Sequence, residues 1–134
     1  MSRWRMLIEY AYLALGGVIG TFLRYWLYLF SMRWLGAAFP YAIITCNWLG
    51  SFLIALLGAY FIELFQRNQG IRLLFMVGLL GSFTTFSTFS LDNLHMLKNG
   101  QYGLSLLYTL SSVLGGIGLA ALGWWLGEYL RRPV

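Results

Sequence analysis

Long apolar stretches dominate the chain, and short polar connections separate them. Four of these stretches reach the roughly 20 helical residues that a bilayer core of about 30 Å requires. They run from about Met6 to Phe30, Tyr41 to Phe65, Ile71 to Leu97 and Tyr102 to Leu130. The connections SMRWLGAAFP, QRNQG and KNGQ are short, which favours antiparallel neighbours. The pattern predicts an all-α membrane protein, one four-helix domain over residues 1–134, with both termini on the same side.

The third stretch contains a polar run, GSFTTFSTFS at residues 81–90, in which six of ten residues carry hydroxyls. Serine and threonine offer the backbone competing hydrogen bonds, and Gly78 and Gly81 lower helix propensity before the run. We therefore predict a helix break near Gly81 to Thr84, close to mid-span. Such a break survives in a membrane only where protein or a water-filled cavity satisfies the freed backbone groups. Free carbonyls there can hold a small cation, and a half-helix N-terminus favours an anion.

Two phenylalanines of this run, Phe86 and Phe89, lie three residues apart and so share one face of the second half-helix. An aromatic ring has a negative face and a positive edge, so ring edges can solvate a small anion weakly. Weak solvation suits conduction, since the ion must bind and also leave. Plain packing is the alternative interpretation, and spacing alone favours it.

Two further polar residues lie inside apolar stretches. Arg24 lies within the first stretch, where it either snorkels to a headgroup region, forms a structural pair or draws anions toward a pore. Asn47 lies about two turns into the second stretch, and an amide left unpaired in hydrocarbon costs several kcal/mol. It therefore faces protein or water, either as a link between helices or as an NH₂ donor on a polar path.

The fourth stretch carries polar side chains at spacings of three and four residues, which place them on one helical face. They are Ser105, Tyr108, Thr109 and Ser112. Hydroxyls at this spacing often bond their own backbone, but a tyrosine in mid-span needs a partner for its O–H. A continuous stripe of this kind predicts a wet track through the bundle.

Composition supports the membrane assignment and excludes several functions. The chain is 60% hydrophobic and only 10% charged, with a net charge of +5, and most basic residues lie at segment ends rather than in a patch suited to nucleic acid. Cys46 is the one cysteine and His95 the one histidine, so neither a disulfide nor a thiolate metal cluster can form within the chain. No motif for catalysis or nucleotide binding is found, and we expect no enzyme activity.

Charge and glycine placement bear on topology and assembly. Basic residues at the terminal side (Arg3, Arg5, Arg67, Arg72, Arg131, Arg132) outnumber those at the other side (Arg33, Lys98), which predicts cytoplasmic termini. Two GxxxG pairs, Gly16 with Gly20 and Gly123 with Gly127, mark sites of close helix approach. Together with further glycines they favour an oligomer.

Three stretches, GGVIGTFLRY, NWLGSF and GSFTTFSTFS, together resemble the motifs of the Fluc (CrcB-type) fluoride channels in order and spacing. The resemblance implies a broken third helix, an antiparallel dual-topology homodimer with two pores, and passive fluoride export across a bacterial inner membrane, giving fluoride resistance. It implies a structural Na⁺ at the dimer interface and no organic cofactor. The partners that the resemblance implies for this chain are fluoride, membrane lipid and a second copy of the chain. Dual topology conflicts with the basic-residue count, and we give the motifs more weight.

The resemblance also assigns residues. The fluoride pore is assigned Asn47, Thr85, Phe86, Thr88, Phe89, Tyr108, Ser112 and Arg24, with the role of Arg24 open. The sodium site is assigned Gly81, Ser82 and Thr84, through backbone carbonyls. The chain departs from the family pattern in reading Gly81-Ser82-Phe83 before the threonines, in having Gly116 one turn beyond Ser112, and in having Asp92 where a glutamate is expected.

Two other functions compete with a channel. A small proton-coupled drug exporter would need a carboxylate in mid-span, whereas the four acidic residues (Glu9, Glu63, Asp92 and Glu128) are expected nearer the span ends. A non-conducting membrane subunit or scaffold would explain the glycines but not the polar stripe.

Overall fold

The computed structural model describes residues 3–132, which form helices and short connections. The helices are α1 (Arg3–Trp34), α2 (Tyr41–Tyr60), α3 (Ile62–Arg67), α4 (Gln69–Arg72), a π-helical segment (Leu73–Leu79), α5 (Leu80–Phe83), α6 (Phe86–Lys98) and α7 (Tyr102–Arg131). Four spans are long and apolar enough to cross a membrane: α1, α2, the run Gln69–Lys98 and α7. The prediction of four helical spans is confirmed.

Local sequence explains where the spans begin and end. Pro40 immediately precedes α2, where a missing backbone N–H costs nothing. The loops before α2 and α7 contain Gly36 and Gly100, whose φ angles of 78° and 72° are costly for other residues. The second stretch, predicted as one helix to Phe65, is interrupted at Phe61, where α2 ends and the short helix α3 follows.

The closest packing joins alternate spans rather than consecutive ones: α2 packs on α7, and α1 packs on the third span. A Cβ at Gly16 would lie 2.8 Å from the Leu79 nitrogen, and one at Gly78 would lie 2.8 Å from the Leu13 carbonyl oxygen. A Cβ at Gly127 would likewise lie 2.6 Å from the Leu56 carbonyl oxygen. Both GxxxG pairs therefore serve contacts within one chain, and they are no argument for an oligomer.

The third span is less regular than the sequence predicts. Residues Leu73–Leu79 form a π-helix, which begins shortly after the span starts and leads directly into α5. This segment packs against α1, where Gly16 and Gly78 bring the two backbones together. π-Helical turns are rare and occur frequently at functional sites. Here the π-helix precedes the break that separates α5 from α6.

The core lies where α2, α6 and α7 meet. Ile43, Ile44, Met96 and Tyr108 form one buried cluster, with Phe39 and Phe89 packed against it. Tyr108 has no exposed surface although its side chain ends in a hydroxyl. The polar residues of the third and fourth spans are therefore placed beside a packed aromatic core.

Candidate functional site at the helix break

The third span is broken at Thr84 and Thr85, both of which have extended backbone conformations. The predicted break is confirmed, but its predicted range is too early, because Gly81 and Ser82 are still helical in α5. Threonine chemistry explains the position. The Thr85 hydroxyl accepts a hydrogen bond from the Thr88 N–H at 3.3 Å and so caps α6, as N-cap threonines do.

Asn47 closes the break with two hydrogen bonds to one residue. Its Oδ1 accepts from the Thr85 N–H at 2.8 Å, and its Nδ2 donates to the Thr85 carbonyl at 3.1 Å. Thr85 is 8% exposed, so water has little access to these groups. Asn47 thus satisfies both backbone groups of Thr85, and the same two bonds satisfy its own amide inside the span. The second Nδ2 proton has no acceptor among the described residues and can donate to a ligand.

The break leaves other backbone groups unbonded. Because the Thr85 N–H turns to Asn47, it does not bond the Gly81 carbonyl, and within residues 3–132 no donor reaches the Gly81 or Ser82 carbonyl. Thr84 instead donates to Leu80 from both its N–H and its hydroxyl, each at 3.1 Å. Gly81 is exposed. Free carbonyl oxygens suit a hard cation, so the Gly81 and Ser82 carbonyls are of the kind that the sodium site implied by the family resemblance requires.

Aromatic rings form a continuous row from the break into the core. The Phe86 and Phe89 ring centroids are 5.7 Å apart, Phe89 lies 5.1 Å from Tyr108, and Tyr108 lies 5.4 Å from Phe39. Phe86 is 79% exposed, whereas Tyr108 is fully buried. The two phenylalanines thus share a face, as their spacing predicts, and the row reaches the protein surface at Phe86.

The hydroxyls of the fourth span fall into two groups. Ser105 and Thr109 donate to Asn93 Oδ1 at 2.8 and 3.0 Å, so their protons are occupied. The Tyr108 hydroxyl lies 3.4 Å from Asp92 Oδ2, a long hydrogen bond, and the buried Ser112 hydroxyl has no hydrogen-bond partner among the described residues. The predicted continuous stripe is therefore divided: Ser112 holds an unpartnered hydroxyl, and Tyr108 holds one with only a long bond to Asp92.

Thr88 is hydrogen-bonded at the break, whereas Arg24 has no hydrogen-bond or ion-pair partner within residues 3–132. The Thr88 hydroxyl accepts from the Thr85 hydroxyl at 3.1 Å, which leaves its own proton available. Arg24 is half-buried, and in the described part of the chain it forms no ion pair and no hydrogen bond. The structure therefore joins Asn47, Thr85 and Thr88 around the break by hydrogen bonds and gives Arg24 no hydrogen bond to them.

Two side chains at this site were not predicted to act there. Asp92 lies toward the end of its span, as expected, but its contact with the Tyr108 hydroxyl near the start of α7 was not predicted. Asn93 was not singled out at all, although it bonds two residues of α7. The signal was available in the sequence, since Asn93 is an amide within an apolar span, the same criterion that identified Asn47.

Comparison with known proteins assigns the family. The model of the family described as CrcB-like protein, Camphor Resistance (CrcB), matches residues 11–124. A protein of Magnetococcus marinus named fluoride-specific ion channel FluC is 42% identical over 127 residues, covering 95% of this chain and 100% of the relative. Proteins of the same name from Thermus thermophilus and Agrobacterium fabrum are 43% and 40% identical, over 91% and 92% of this chain and 97% and 99% of theirs. This multi-pass membrane chain therefore belongs to the CrcB/FluC family, a family of ion channels rather than enzymes.

Proposed function

We propose that this protein is a fluoride-specific channel that lets F⁻ leave the cytoplasm passively through the bacterial inner membrane and so confers fluoride resistance. The observation that carries the proposal is the broken third span, where Phe86 begins the second half-helix and Phe89 lies 5.1 Å from Tyr108. Relatives that carry the fluoride-specific name align over nearly the whole chain. The exporter and scaffold alternatives gain no comparable support.

The groups near the break suit a small, strongly hydrated anion. Replacing tight hydration needs several donors, and a pore must bind weakly enough to release the ion. The free proton of the Asn47 amide, the Thr88 hydroxyl and the edges of two phenylalanine rings are neutral donors of this kind. The first N–H groups of α6, at Phe86 and Ser87, have no acceptor among residues 3–132 and add the positive end of a helix.

The hydroxyls of α7 extend the proposed path. Ser112 lies one turn beyond Tyr108, and its buried hydroxyl needs a partner because an unsatisfied polar group in an apolar interior is costly. A passing fluoride or a water molecule can accept its proton. Arg24 stays a candidate for attracting anions to the pore, on the ground that its guanidinium is unpaired within the described chain.

We infer that the channel is an antiparallel, dual-topology homodimer. Two surface features support a second copy: the Phe86 ring is 79% exposed, and Gly81, which carries one of the two unbonded carbonyls, is also exposed, whereas Ser82 is half-buried. Free carbonyls facing lipid cost several kcal/mol each, and a partner covering this face removes that cost. A cysteine tag at the C-terminus of a Cys46→Ala background should label from both sides of the membrane, and strictly one-sided labelling would contradict the antiparallel arrangement.

The proposed dimer interface also holds a structural Na⁺. Its ligands are backbone carbonyl oxygens at Gly81, Ser82 and Thr84, so Ser82 in place of a family glycine leaves the donor atoms unchanged. Replacing Na⁺ by N-methylglucamine during purification should lower dimer stability and fluoride flux. Dimers and flux that are indifferent to Na⁺ would rule out the cation.

The direct test of the pore is fluoride efflux from proteoliposomes. Phe86→Ile and Phe89→Ile keep apolar bulk and remove the aromatic edges, so each should slow fluoride efflux strongly. Phe75→Ile, at an exposed ring of the π-helical segment, is the matched control and should conduct normally. If both pore variants retain wild-type efflux and selectivity, the aromatic-edge mechanism is wrong.

A further inference from the structure

We propose that Asn93 is a positioning residue of the pore: it fixes α6 against α7 and thereby sets the place of the Phe89 ring beside Tyr108. The proposal rests on the proposed channel function and deepens it. Asn93 Oδ1 accepts hydrogen bonds from Ser105 at 2.8 Å and Thr109 at 3.0 Å. Its Nδ2 donates to the Phe89 carbonyl at 3.1 Å. Three of the four hydrogen-bonding positions of the amide are thus used.

The geometry fixes both rotation and translation of α6. Ser105 and Thr109 are four residues apart and lie one above the other on α7, so an oxygen bonded to both cannot slide along α7 without losing one bond. Ser105 is buried at 5% exposure, so water does not readily replace a lost bond there. Both hydroxyls reach across to α6 rather than back to their own helix.

α6 needs such an anchor because the break weakens its link to the rest of the third span. No backbone hydrogen bond within residues 3–132 connects α5 to the first turn of α6, and α6 packs mainly against α7. The other hydrogen bonds that hold α6 in place are the Thr85 contact with Asn47 at its start, the long Tyr108–Asp92 bond, and the bond from the Gln101 N–H to the Met96 carbonyl at its end. Asn93 follows Asp92 directly, in the half of α6 that lies away from the break.

The anchor acts directly on the proposed ion contacts. Phe89 is one turn before Asn93 and is bonded to it, while Tyr108 lies between Ser105 and Thr109 on the same face of α7. Any shift of α6 relative to α7 therefore changes the 5.1 Å separation of the Phe89 and Tyr108 rings. A looser site solvates fluoride less well and admits the larger chloride ion more easily, so selectivity should depend on Asn93.

The test replaces Asn93 by an apolar residue of similar size. Asn93→Leu removes all three bonds, two of which join α6 to α7. Because such interhelical bonds are worth roughly threefold each, the loss of two should lower the fluoride-to-chloride efflux ratio about tenfold. Ser90→Ala and Ser111→Ala are matched controls, since these hydroxyls bond carbonyls of their own helices at 2.9 and 2.6 Å. The controls should leave the ratio unchanged.

A mutant cycle separates positioning from general destabilisation. Ser105→Ala and Thr109→Val each keep one bond to Asn93, so each should lower the ratio by a smaller factor while the channel stays folded. Added to Asn93→Leu, they should produce little further change. Fully additive effects, or wild-type selectivity in all three variants, would overturn the proposal. The single hydroxyl variants keep it testable even if Asn93→Leu does not fold.

A second readout does not depend on flux. 4-Fluorophenylalanine at position 89 reports the ring environment by ¹⁹F NMR in detergent. The resonance should be sharp in the wild-type background and in Ser90→Ala, and shifted or broadened in Asn93→Leu. An unchanged resonance in Asn93→Leu overturns the positioning role, whether or not the protein conducts fluoride. If the unmodified chain conducts no fluoride, that result defeats the channel function but not the positioning role.

Discussion

Removing the side-chain amide of Asn47 should destabilise the break more than any other single amide change in the chain. Asn47→Leu preserves approximate size and removes two hydrogen bonds, to the Thr85 N–H at 2.8 Å and the Thr85 carbonyl at 3.1 Å. Both groups lie in extended backbone between two helices, so neither has a helical partner to return to.

The size of the effect follows from what is left unpaired. A buried donor or acceptor that loses its partner costs about 1–3 kcal/mol, so two of them cost about 2–6 kcal/mol. Interhelical bonds between side chains in membrane proteins average nearer 0.6 kcal/mol, since the groups find other partners. The larger range applies here because Thr85 is 8% exposed and water cannot easily serve as that partner.

The assay is the free energy of unfolding in mixed micelles, titrated with dodecyl sulfate and followed by tryptophan fluorescence. Asn99→Leu is the matched control, since this exposed amide caps α6 without a side-chain hydrogen bond, and it should change the free energy by less than about 0.5 kcal/mol. If Asn47→Leu is as stable as Asn99→Leu, Asn47 does not close the break.

Three further predictions, two substitutions and one labelling experiment, test other parts of the structure. Gly50→Ala places a methyl group against the first threonine of the break, which should lower the free energy of unfolding by about 1–3 kcal/mol. Gly118→Ala, with no neighbouring atom within 4 Å, should not destabilise, and equal losses at both sites would refute the close contact. Tyr108→Phe should slow fluoride efflux yet cost less than about 1 kcal/mol of stability, because its bond to Asp92 is long at 3.4 Å; unchanged efflux would remove its hydroxyl from the path. Cys46, which has no exposed surface, should resist maleimide in the folded protein and react only after denaturation, and rapid labelling of the folded protein would contradict its burial.

Spacing and composition were sufficient to predict the four spans, because a membrane imposes length and apolarity on each helix independently of its neighbours. The break was also predictable in kind, since six hydroxyls within ten residues compete with helical hydrogen bonds. Its exact position depended on which threonine caps α6, and that depended on the amide of Asn47 reaching Thr85 from another helix.

Contacts between spans were beyond sequence reasoning. Asn93 joins residues 12 and 16 positions away, and nothing in their local spacing distinguishes hydroxyls that bond another helix from hydroxyls that bond their own. The GxxxG pairs were recognised as contact sites, but only the packing of α1 on the third span and α7 on α2 decided that the contacts lie within one chain. The π-helix at Leu73–Leu79 has no signature in the sequence pattern.

The central claim is that neutral donors and ring edges beside the broken third span conduct fluoride and reject chloride. The most direct test loads proteoliposomes containing the purified chain with equal KF and KCl and records both anions with selective electrodes after valinomycin is added. Fluoride should leave rapidly while chloride stays inside. Equal release of both anions, or no release of fluoride, would contradict the claim.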